Sequence, residues 1–279
     1  MNTEQAKKDD VGGRKSGYGN LSTILVAIVA VLFAVYSASG LSLFSVPKTR
    51  LTTTIVSYDP LIIYLENFLS ANEVEYLKRV AQGKYVPSKV VDENNEKLDK
   101  TLFTRRSSSA ILPRQDNVVK SVIARAAQFQ GFAPTNHFEN IQATKYVSGQ
   151  EYMPHYDVLS TKPPPPHGEE DDGSENATER LSTMFVILED SCGTHCGTQF
   201  PQIAIDWASE DPGWCEFVDC MERRLTFPPR AGNAIFWKNL REDGSLHEDT
   251  LHAGLPLQHG AKVGLNIWMR NGLYPSVSS

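Results

Sequence analysis

Apolar and polar side chains alternate strictly near the C-terminal end of the chain. In the segment 262–268, one face carries three apolar residues, Val263, Leu265 and Ile267. The opposite face carries Lys262, Gly264, Asn266 and Trp268. A period of two predicts a β-strand with one face against the core. This strand is expected near 262–269, and similar short segments predict others near 141–147, 152–158, 182–188, 225–227, 233–237 and 250–252.

Two segments that precede these strands have the longer period of amphipathic helices. Ser70 and Glu73 form a capping box, which predicts a helix to about Ala81. Its buried residues are expected to include Val74 and Leu77. Asp116 is the expected N-cap of a second helix, whose apolar side would comprise Val118, Val119, Val122, Ile123 and Ala126. Two helices before many short strands predict an α+β, mainly β fold, in which the helices support a β-sandwich or jelly roll on one face.

The N-terminal part of the chain contains a long uncharged segment. No charged residue occurs from Ser16 to Pro47, and residues 21–46 exceed the roughly 20 apolar residues that span a bilayer. Basic residues are more numerous before this segment than after it, which favours a cytosolic N-terminus. The sequence therefore predicts a cytosolic tail (1–20), a transmembrane signal anchor (21–46), a tether with a first strand (47–59) and a lumenal domain (60–279). The alternative is a signal peptide cleaved near the small residues 37–40.

Two features fit a lumenal domain. Asn176 begins an Asn-Ala-Thr glycosylation sequon in a polar loop. An even, clustered set of cysteines is typical of two disulfides in an oxidising compartment, and this chain has Cys192, Cys196, Cys215 and Cys220. All three connectivities stay open, and a zinc site is the less favoured alternative because neither pair has two-residue spacing.

The most informative polar residues are two histidines and an aspartate. In an extended strand, residues i and i+2 point to the same face, so His155 and Asp157 can aim an imidazole and a carboxylate at one point. His252 could complete a two-histidine, one-carboxylate triad, which leaves three adjacent positions open on a non-haem Fe(II). His195, His247 and His259 are other conceivable distal ligands, and His247 is the runner-up.

Lys262 is the only charged residue of the strand predicted near 262–269. A buried ammonium group is costly unless an anion pairs with it. Lys262 is therefore expected either at a solvated strand edge or opposite a carboxylate inside a pocket.

These residues carry a family resemblance. The stretch 141–157 resembles the core motif of the prolyl 4-hydroxylase family of 2-oxoglutarate- and Fe(II)-dependent dioxygenases. The stretches 232–237 and 243–256, with Lys262, are similar to the second half of that family, so the resemblance covers roughly residues 60–271. It implies a double-stranded β-helix fold. It also implies hydroxylation of peptidyl proline at the ring 4-position, with Fe(II), 2-oxoglutarate, ascorbate and molecular oxygen, and with succinate and carbon dioxide as products.

The resemblance also implies roles for individual residues. His155, Asp157 and His252 would bind Fe(II), and Lys262 would pair with the distal carboxylate of 2-oxoglutarate. Four further residues match motif positions that line the co-substrate site (Tyr146 and Thr198), lie near the metal (Trp268) or contact substrate (Arg106). The chain departs from the family pattern at three positions. Glycine rather than glutamate precedes Thr198, Cys196 stands where glycine is usual, and serine replaces threonine after Arg106.

Composition limits the partners. The net charge of −6 and the lack of a long basic patch disfavour nucleic acid, so the expected partners are a proline-containing peptide and a membrane, reached through the anchor. The expected location is the endoplasmic reticulum or Golgi membrane, with single-pass type II topology. Alternatives are an oxygenase with another target and a silent module that binds proline-rich peptides. The loop 161–178 is a candidate lid, and the oligomeric state stays open.

Overall fold

The computed structural model describes residues 50–88, 105–159, 179–193 and 195–274. Within these ranges the strands are β1 (Thr52–Tyr58), β2 (Leu61–Glu66), β3 (Val86–Pro87), β4 (Ser108–Ile111), β5 (Gln142–Val147), β6 (Tyr152–His155), β7 (Arg180–Asp190), β8 (Thr198–Ala204), β9 (Arg224–Phe227), β10 (Ala234–Lys238), β11 (His252–Gly254) and β12 (Ala261–Arg270). The α-helices are α1 (Ala71–Ala81) and α2 (Asn117–Phe129). Short 3₁₀ helices cover Thr135–His137, Trp207–Ser209, Pro212–Glu216 and Glu248–Thr250.

The strands form two antiparallel sheets. The larger sheet has the order β1-β2-β10-β7-β12-β5-β4-β3, and the smaller one has the order β6-β11-β8-β9. Apolar side chains of both sheets meet in one buried cluster, which includes Phe185, Ile187, Phe200, Phe227, Ile235 and Trp237. This mainly β architecture of antiparallel sheets with two helices agrees with the predicted jelly roll.

The two faces of β12, a central strand of the larger sheet, have different roles. On β12, the face formed by Val263, Leu265 and Ile267 packs into the core beneath the helices. The face that carries Lys262, Asn266 and Trp268 lines a cavity instead. The alternation predicted from the sequence is therefore confirmed, and it separates a structural face from a face available for chemistry.

The two helices begin where their capping residues predict. The backbone N–H of Glu73 donates to the Ser70 hydroxyl, and the Glu73 carboxylate accepts from the Ser70 backbone at 2.8 Å. Asp116 accepts from two backbone N–H groups of the first turn of α2. Arg125 then joins the helices through a salt bridge of 2.7 Å to Glu73. The helices thus close one face of the larger sheet, as the sequence predicts.

Several predicted boundaries are corrected. The first strand expected within residues 47–59 is β1, and its pairing with β2 makes it part of the larger sheet. The sequence patterns did not predict β8, which contains Pro201, a residue that is unfavourable in a paired strand. The structure accommodates this proline at an irregularity, where the register of β8 with β9 shifts between Phe200 and Ala204. The strand expected at 250–252 begins only at His252, since a 3₁₀ helix occupies residues 248–250.

The predicted anchor (21–46), the loop 161–178 and the sequon at Asn176 lie outside the described residues. Among the described residues, no helix is long and apolar enough to cross a membrane.

Candidate active site

One cavity of about 340 Å³ gathers most of the residues singled out in the sequence. Residues of β5, β7 and β12 in the larger sheet and residues of the smaller sheet line this cavity. Seven of the eight residues assigned to iron, co-substrate or substrate line this cavity: Tyr146, His155, Asp157, Thr198, His252, Lys262 and Trp268. The predicted metal triad and the lysine, for which a pocket was one expected location, therefore lie in the same cavity.

The triad residues converge on a single point. One candidate ligand atom from each of His155, Asp157 and His252 lies within 4.8 Å of the others. The Nε2 atoms of the two histidines are 3.8 and 3.6 Å from the two carboxylate oxygens of Asp157. Strand pairing contributes directly, because His252 of β11 lies opposite His155 of β6. The donor set and its compactness fit a divalent transition metal with open coordination positions.

Backbone carbonyls fix the orientation of both imidazoles. Nδ1 of His155 is 2.9 Å from the Met153 carbonyl oxygen, and Nδ1 of His252 is 2.9 Å from the Thr250 carbonyl oxygen. A carbonyl can only accept, so each Nδ1 carries a proton and Nε2 is the ring nitrogen that is left to bind a metal. Burial and the neighbouring His252 lower the pKa of His155, which keeps its imidazole neutral at neutral pH. Both rings are thus held in the tautomer that binds a metal through Nε2.

Asp157 is positioned differently from the sequence expectation. Strand β6 ends at His155, so Asp157 lies in the following bend rather than on the strand. Its Oδ2 accepts hydrogen bonds from the Thr183 hydroxyl at 2.9 Å and from the Trp268 indole at 3.0 Å. Asn239 also donates to its backbone carbonyl at 3.2 Å. These hydrogen bonds, rather than a position on β6, orient the carboxylate toward the histidines.

The electrostatics of Asp157 favour the ionised form. Burial alone would raise its pKa, but His252, His155 and Arg180 outweigh burial, and the pKa lies below its usual range. Arg180 lies 3.7 Å from the centre of the Trp268 ring and pairs with Glu139 at 2.7 Å. The site therefore offers an ionised carboxylate next to the neutral imidazole of His155 at neutral pH.

Lys262 occupies a second part of the same cavity. Its side chain is 1% exposed, and Nζ donates to the backbone carbonyls of Cys196 and Gly197. Burial lowers its pKa to about 7, and no salt bridge to a carboxylate accompanies it in the described part of the chain. Nζ also lies 5.3 Å from the centre of the Tyr146 ring. Because a buried ammonium needs an anion, the site fits a ligand carboxylate at this position.

The structure explains the glycine that precedes Thr198. A Cβ atom at position 197 would lie 2.6 Å from the backbone oxygen of Phe227 and 2.9 Å from a Thr226 methyl group. The close approach of β8 and β9 therefore excludes a side chain such as glutamate at this position. Thr198 itself is buried in the wall of the cavity, as its assignment requires.

Arg106 is the one assigned residue that the structure places elsewhere. It is exposed and pairs with Glu151 at 2.7 Å. Its neighbour Arg105 lines the cavity and stacks over Tyr152 at 4.7 Å. Adjacent residues in extended backbone point to opposite sides, so a shift of one position exchanges the cavity arginine for a surface arginine.

The competing histidines do not reach the triad. His247 is buried, and its Nε2 lies 2.8 Å from the Asp59 carboxylate rather than at the metal site. His195 and His259 are exposed. His252 is therefore the distal member of the cluster.

The cysteines pair by proximity in the chain. The structure contains disulfides Cys192–Cys196 and Cys215–Cys220. This pairing selects one of the three connectivities left open by the sequence and removes the zinc alternative for these residues.

Several site residues were missed by sequence reasoning. Arg105, Tyr152 and Arg180 line the cavity, whereas Thr183 and Asn239 hold Asp157 from behind. Tyr152 stacks on His155 with ring centroids 3.5 Å apart. Its place three residues before a candidate ligand was a usable signal, whereas Thr183 and Asn239 carry no local signature.

Comparisons with known proteins agree with this geometry. The family model described as 2OG-Fe(II) oxygenase superfamily matches residues 141–270. Probable prolyl 4-hydroxylase 3 of Arabidopsis thaliana is 32% identical over 223 residues, which are 80% of this chain and 73% of that protein. Prolyl 4-hydroxylase 5 of the same plant is 31% identical over 215 residues, which are 77% of this chain and 69% of that protein.

A solved structure shares the fold. The viral collagen prolyl hydroxylase from Paramecium Bursaria Chlorella virus-1, in its 2OG complex, has a TM-score of 0.51 and 23% identity. The match covers 75% of this chain and 95% of the viral chain. The plant relatives, the family model and the residues of the cavity lead to one conclusion. The chain belongs to the prolyl 4-hydroxylase family of 2-oxoglutarate- and Fe(II)-dependent dioxygenases.

Proposed function

We propose that this protein hydroxylates peptidyl proline at the ring 4-position and couples this reaction to the oxidative decarboxylation of 2-oxoglutarate. One observation carries the proposal. A buried ammonium group, which has no carboxylate partner among the described residues, shares its cavity with a compact cluster of two histidines and an aspartate. A dicarboxylate that binds a metal at one end and a cation at the other is complementary to this arrangement.

The metal would be Fe(II), held by Nε2 of His155, Nε2 of His252 and the Asp157 carboxylate. When bound, Fe(II) supplies the activation of oxygen and the oxidation of both co-substrate and substrate. The protein supplies the geometry. Backbone carbonyls fix the imidazoles, and the hydrogen bonds of Thr183 and Trp268 fix the carboxylate.

Lys262, Tyr146 and Thr198 would bind 2-oxoglutarate. The protonated Lys262 side chain would form a charge-assisted hydrogen bond with the distal carboxylate. Burial raises the pKa of Tyr146, so its phenol stays protonated and remains a hydrogen-bond donor. Thr198 adds a hydroxyl from the smaller sheet. These three groups favour a small dicarboxylate over a neutral ligand.

Arg105 and Tyr152 would contact the peptide in place of Arg106. The Arg105 side chain donates to Gln142 at 3.0 Å and lies over the Tyr152 ring. A guanidinium group held in this way offers donors to peptide carbonyls, and the aromatic ring next to His155 offers a flat apolar surface to a proline ring. The proposed substrate is therefore an exposed proline-containing segment of a protein.

The proposal places the catalytic domain in the lumen of the endoplasmic reticulum or Golgi, on a single-pass type II anchor at residues 21–46. Two disulfides within the domain support an oxidising compartment. The apolar segment and the sequon at Asn176 point the same way. Ascorbate is proposed as a further requirement of the reaction.

The test is incubation of the purified protein with Fe(II), 2-oxoglutarate, ascorbate and either proline-rich or collagen-like peptides. Succinate and 4-hydroxyproline are expected together, and the His155→Ala variant should form neither. Succinate without hydroxyproline would identify an oxygenase with another target. A folded, metal-loaded protein that forms no succinate would contradict enzymatic function. Mass spectrometry of secretory proteins from cells with wild-type or His155→Ala protein would test the proposed compartment.

A further inference from the structure

The turn between β7 and β8 supplies both carbonyl groups that hold Lys262. These carbonyls belong to Cys196 and Gly197, and the Gly197 oxygen lies 3.0 Å from Nζ. The Cys192–Cys196 disulfide crosslinks the same turn. The cysteine that departs from the family pattern is thus covalently fixed at the point where the lysine is held.

The disulfide also packs against Tyr146, another residue of the proposed co-substrate site. Cys192 and Cys196 are 4% and 1% exposed, and they form a small buried cluster with Tyr146 and Leu257. Tyr146 lies opposite Lys262 in the pairing of β5 with β12, and its ring faces the ammonium group. The disulfide is therefore packed in the same buried cluster as the ring that faces the ammonium group.

A second connection ties this turn to the start of β12. The backbone N–H of Ala261 donates to the Ser191 hydroxyl at 3.0 Å. A Cβ atom at Gly260, whose φ is +67°, would lie 2.3 Å from the Ser191 carbonyl oxygen, so the two turns are in close contact. Through this hydrogen bond and the disulfide, the two carbonyl groups are connected to the backbone directly before Lys262.

We propose that the Cys192–Cys196 disulfide is a positioning element for 2-oxoglutarate, because it fixes the two carbonyl groups that orient the Lys262 ammonium. The inference rests on the proposed function, in which Lys262 binds the distal carboxylate. Without the crosslink, the turn gains conformational freedom that co-substrate binding must then remove. The disulfide contributes to co-substrate affinity and takes no part in the oxidation itself.

The first test measures the Kd for 2-oxoglutarate by calorimetry, with Mn(II) in place of Fe(II). Cys192→Ala/Cys196→Ala should raise this Kd on the order of tenfold, whereas kcat at saturating 2-oxoglutarate changes little. Cys215→Ala/Cys220→Ala is the matched control, because it removes a disulfide of similar span from another part of the domain. Its Kd should equal that of the wild type. Equal Kd values for all three proteins, or equal losses in both variants, would overturn the inference.

A packing control separates the effect of the crosslink from the effect of apolar packing in the buried cluster. Cys192→Ala/Cys196→Val retains apolar side chains in the cluster but has no covalent bond. It should bind 2-oxoglutarate as weakly as the double alanine variant, and wild-type affinity would overturn the inference. A wild-type protein that binds Mn(II) but no 2-oxoglutarate would instead overturn the proposed function.

A second measurement uses the native protein and does not depend on the folding of any variant. In a series of dithiol redox buffers, the reagent gives two electrons and two protons to the protein disulfide and is itself oxidised to a cyclic disulfide. Alkylation and mass spectrometry then give the reduced fraction of each cysteine pair. If reduction of Cys192–Cys196 raises the Kd for 2-oxoglutarate by a given factor, linkage requires that saturating 2-oxoglutarate disfavours reduction of this pair by the same factor. The reduced fraction of Cys215–Cys220 should not change. No protection of Cys192–Cys196 would overturn the inference.

Discussion

His252 lies directly opposite His155 in the antiparallel pair of β11 and β6, and the centroids of the two imidazole rings are 4.2 Å apart. Residues that face each other across two antiparallel strands are close neighbours on one side of the sheet. The smaller sheet therefore sets the separation of the two histidines. Hydrogen bonds from the larger sheet bring Asp157 to them.

The affinity for 2-oxoglutarate should depend on pH through Lys262. Burial lowers the pKa of this amine to about 7, so without a ligand it is charged below neutral pH and loses its proton above it. The carboxylate binds the protonated form. The Kd should therefore be constant below about pH 7 and rise about tenfold per pH unit well above it. Calorimetry across this range checks the expectation, and a Kd that stays flat in the wild type would count against it.

Removal of the Lys262 charge should affect co-substrate binding more than metal binding. Lys262→Met keeps an apolar stem but leaves the ligand carboxylate buried without a partner, which costs roughly 2–5 kcal/mol. The KM for 2-oxoglutarate should rise at least about 30-fold, and its dependence on pH should disappear. Mn(II) affinity in the absence of 2-oxoglutarate is the internal control and should not change. An unchanged KM would refute the assignment of Lys262.

The two adjacent arginines should behave differently. Arg105→Gln removes a guanidinium group from the cavity and should raise the KM for peptide on the order of tenfold, without a change in the KM for 2-oxoglutarate. Arg106→Gln breaks an ion pair whose arginine side chain is 52% exposed, and such pairs contribute about 0–1 kcal/mol. Its kinetic constants should stay close to those of the wild type. The reverse order of effects would restore Arg106 as the substrate residue.

Gly197 should not tolerate a side chain. In Gly197→Ala the new methyl group would meet the Phe227 carbonyl oxygen at 2.6 Å, and backbone atoms cannot move aside as a flexible side chain does. We expect a loss of about 1–3 kcal/mol in the free energy of unfolding and a weaker affinity for 2-oxoglutarate. Gly254→Ala is the control for stability, because its Cβ would have no contact closer than 3.6 Å. Equal melting temperatures for the two variants would contradict this explanation.

The sequence predicts the parts of the site that local pattern specifies. His155, Asp157, His252 and Lys262 stand in short motifs, and the alternation of β12 shows which face carries the lysine. The support of Asp157 is not local. Thr183, Asn239 and Trp268 reach it from 26, 82 and 111 residues away in sequence. No periodicity of one segment encodes such contacts, because they depend on how strands pair in three dimensions.

Register also limits what the sequence can show. The family motif matches Arg106, whereas the structure places the adjacent Arg105 in the cavity, and sequence alone does not show which of two adjacent residues faces a cavity. Strand β8, which contains Pro201, was not predicted. The irregularity that accommodates this proline is a property of the pairing of β8 with β9, which the sequence does not show. The disulfide pairing likewise required the positions of the turns.

The central claim is that three side chains from separate parts of the chain form one metal site. Calorimetric titration with Mn(II) tests it most directly, on the wild type and on His155→Ala, Asp157→Ala, His252→Ala and His247→Ala. We predict one bound ion for the wild type and for His247→Ala, and a large loss of affinity in each of the other three variants. Wild-type affinity in any of these three, or loss of the ion in His247→Ala alone, would contradict the account.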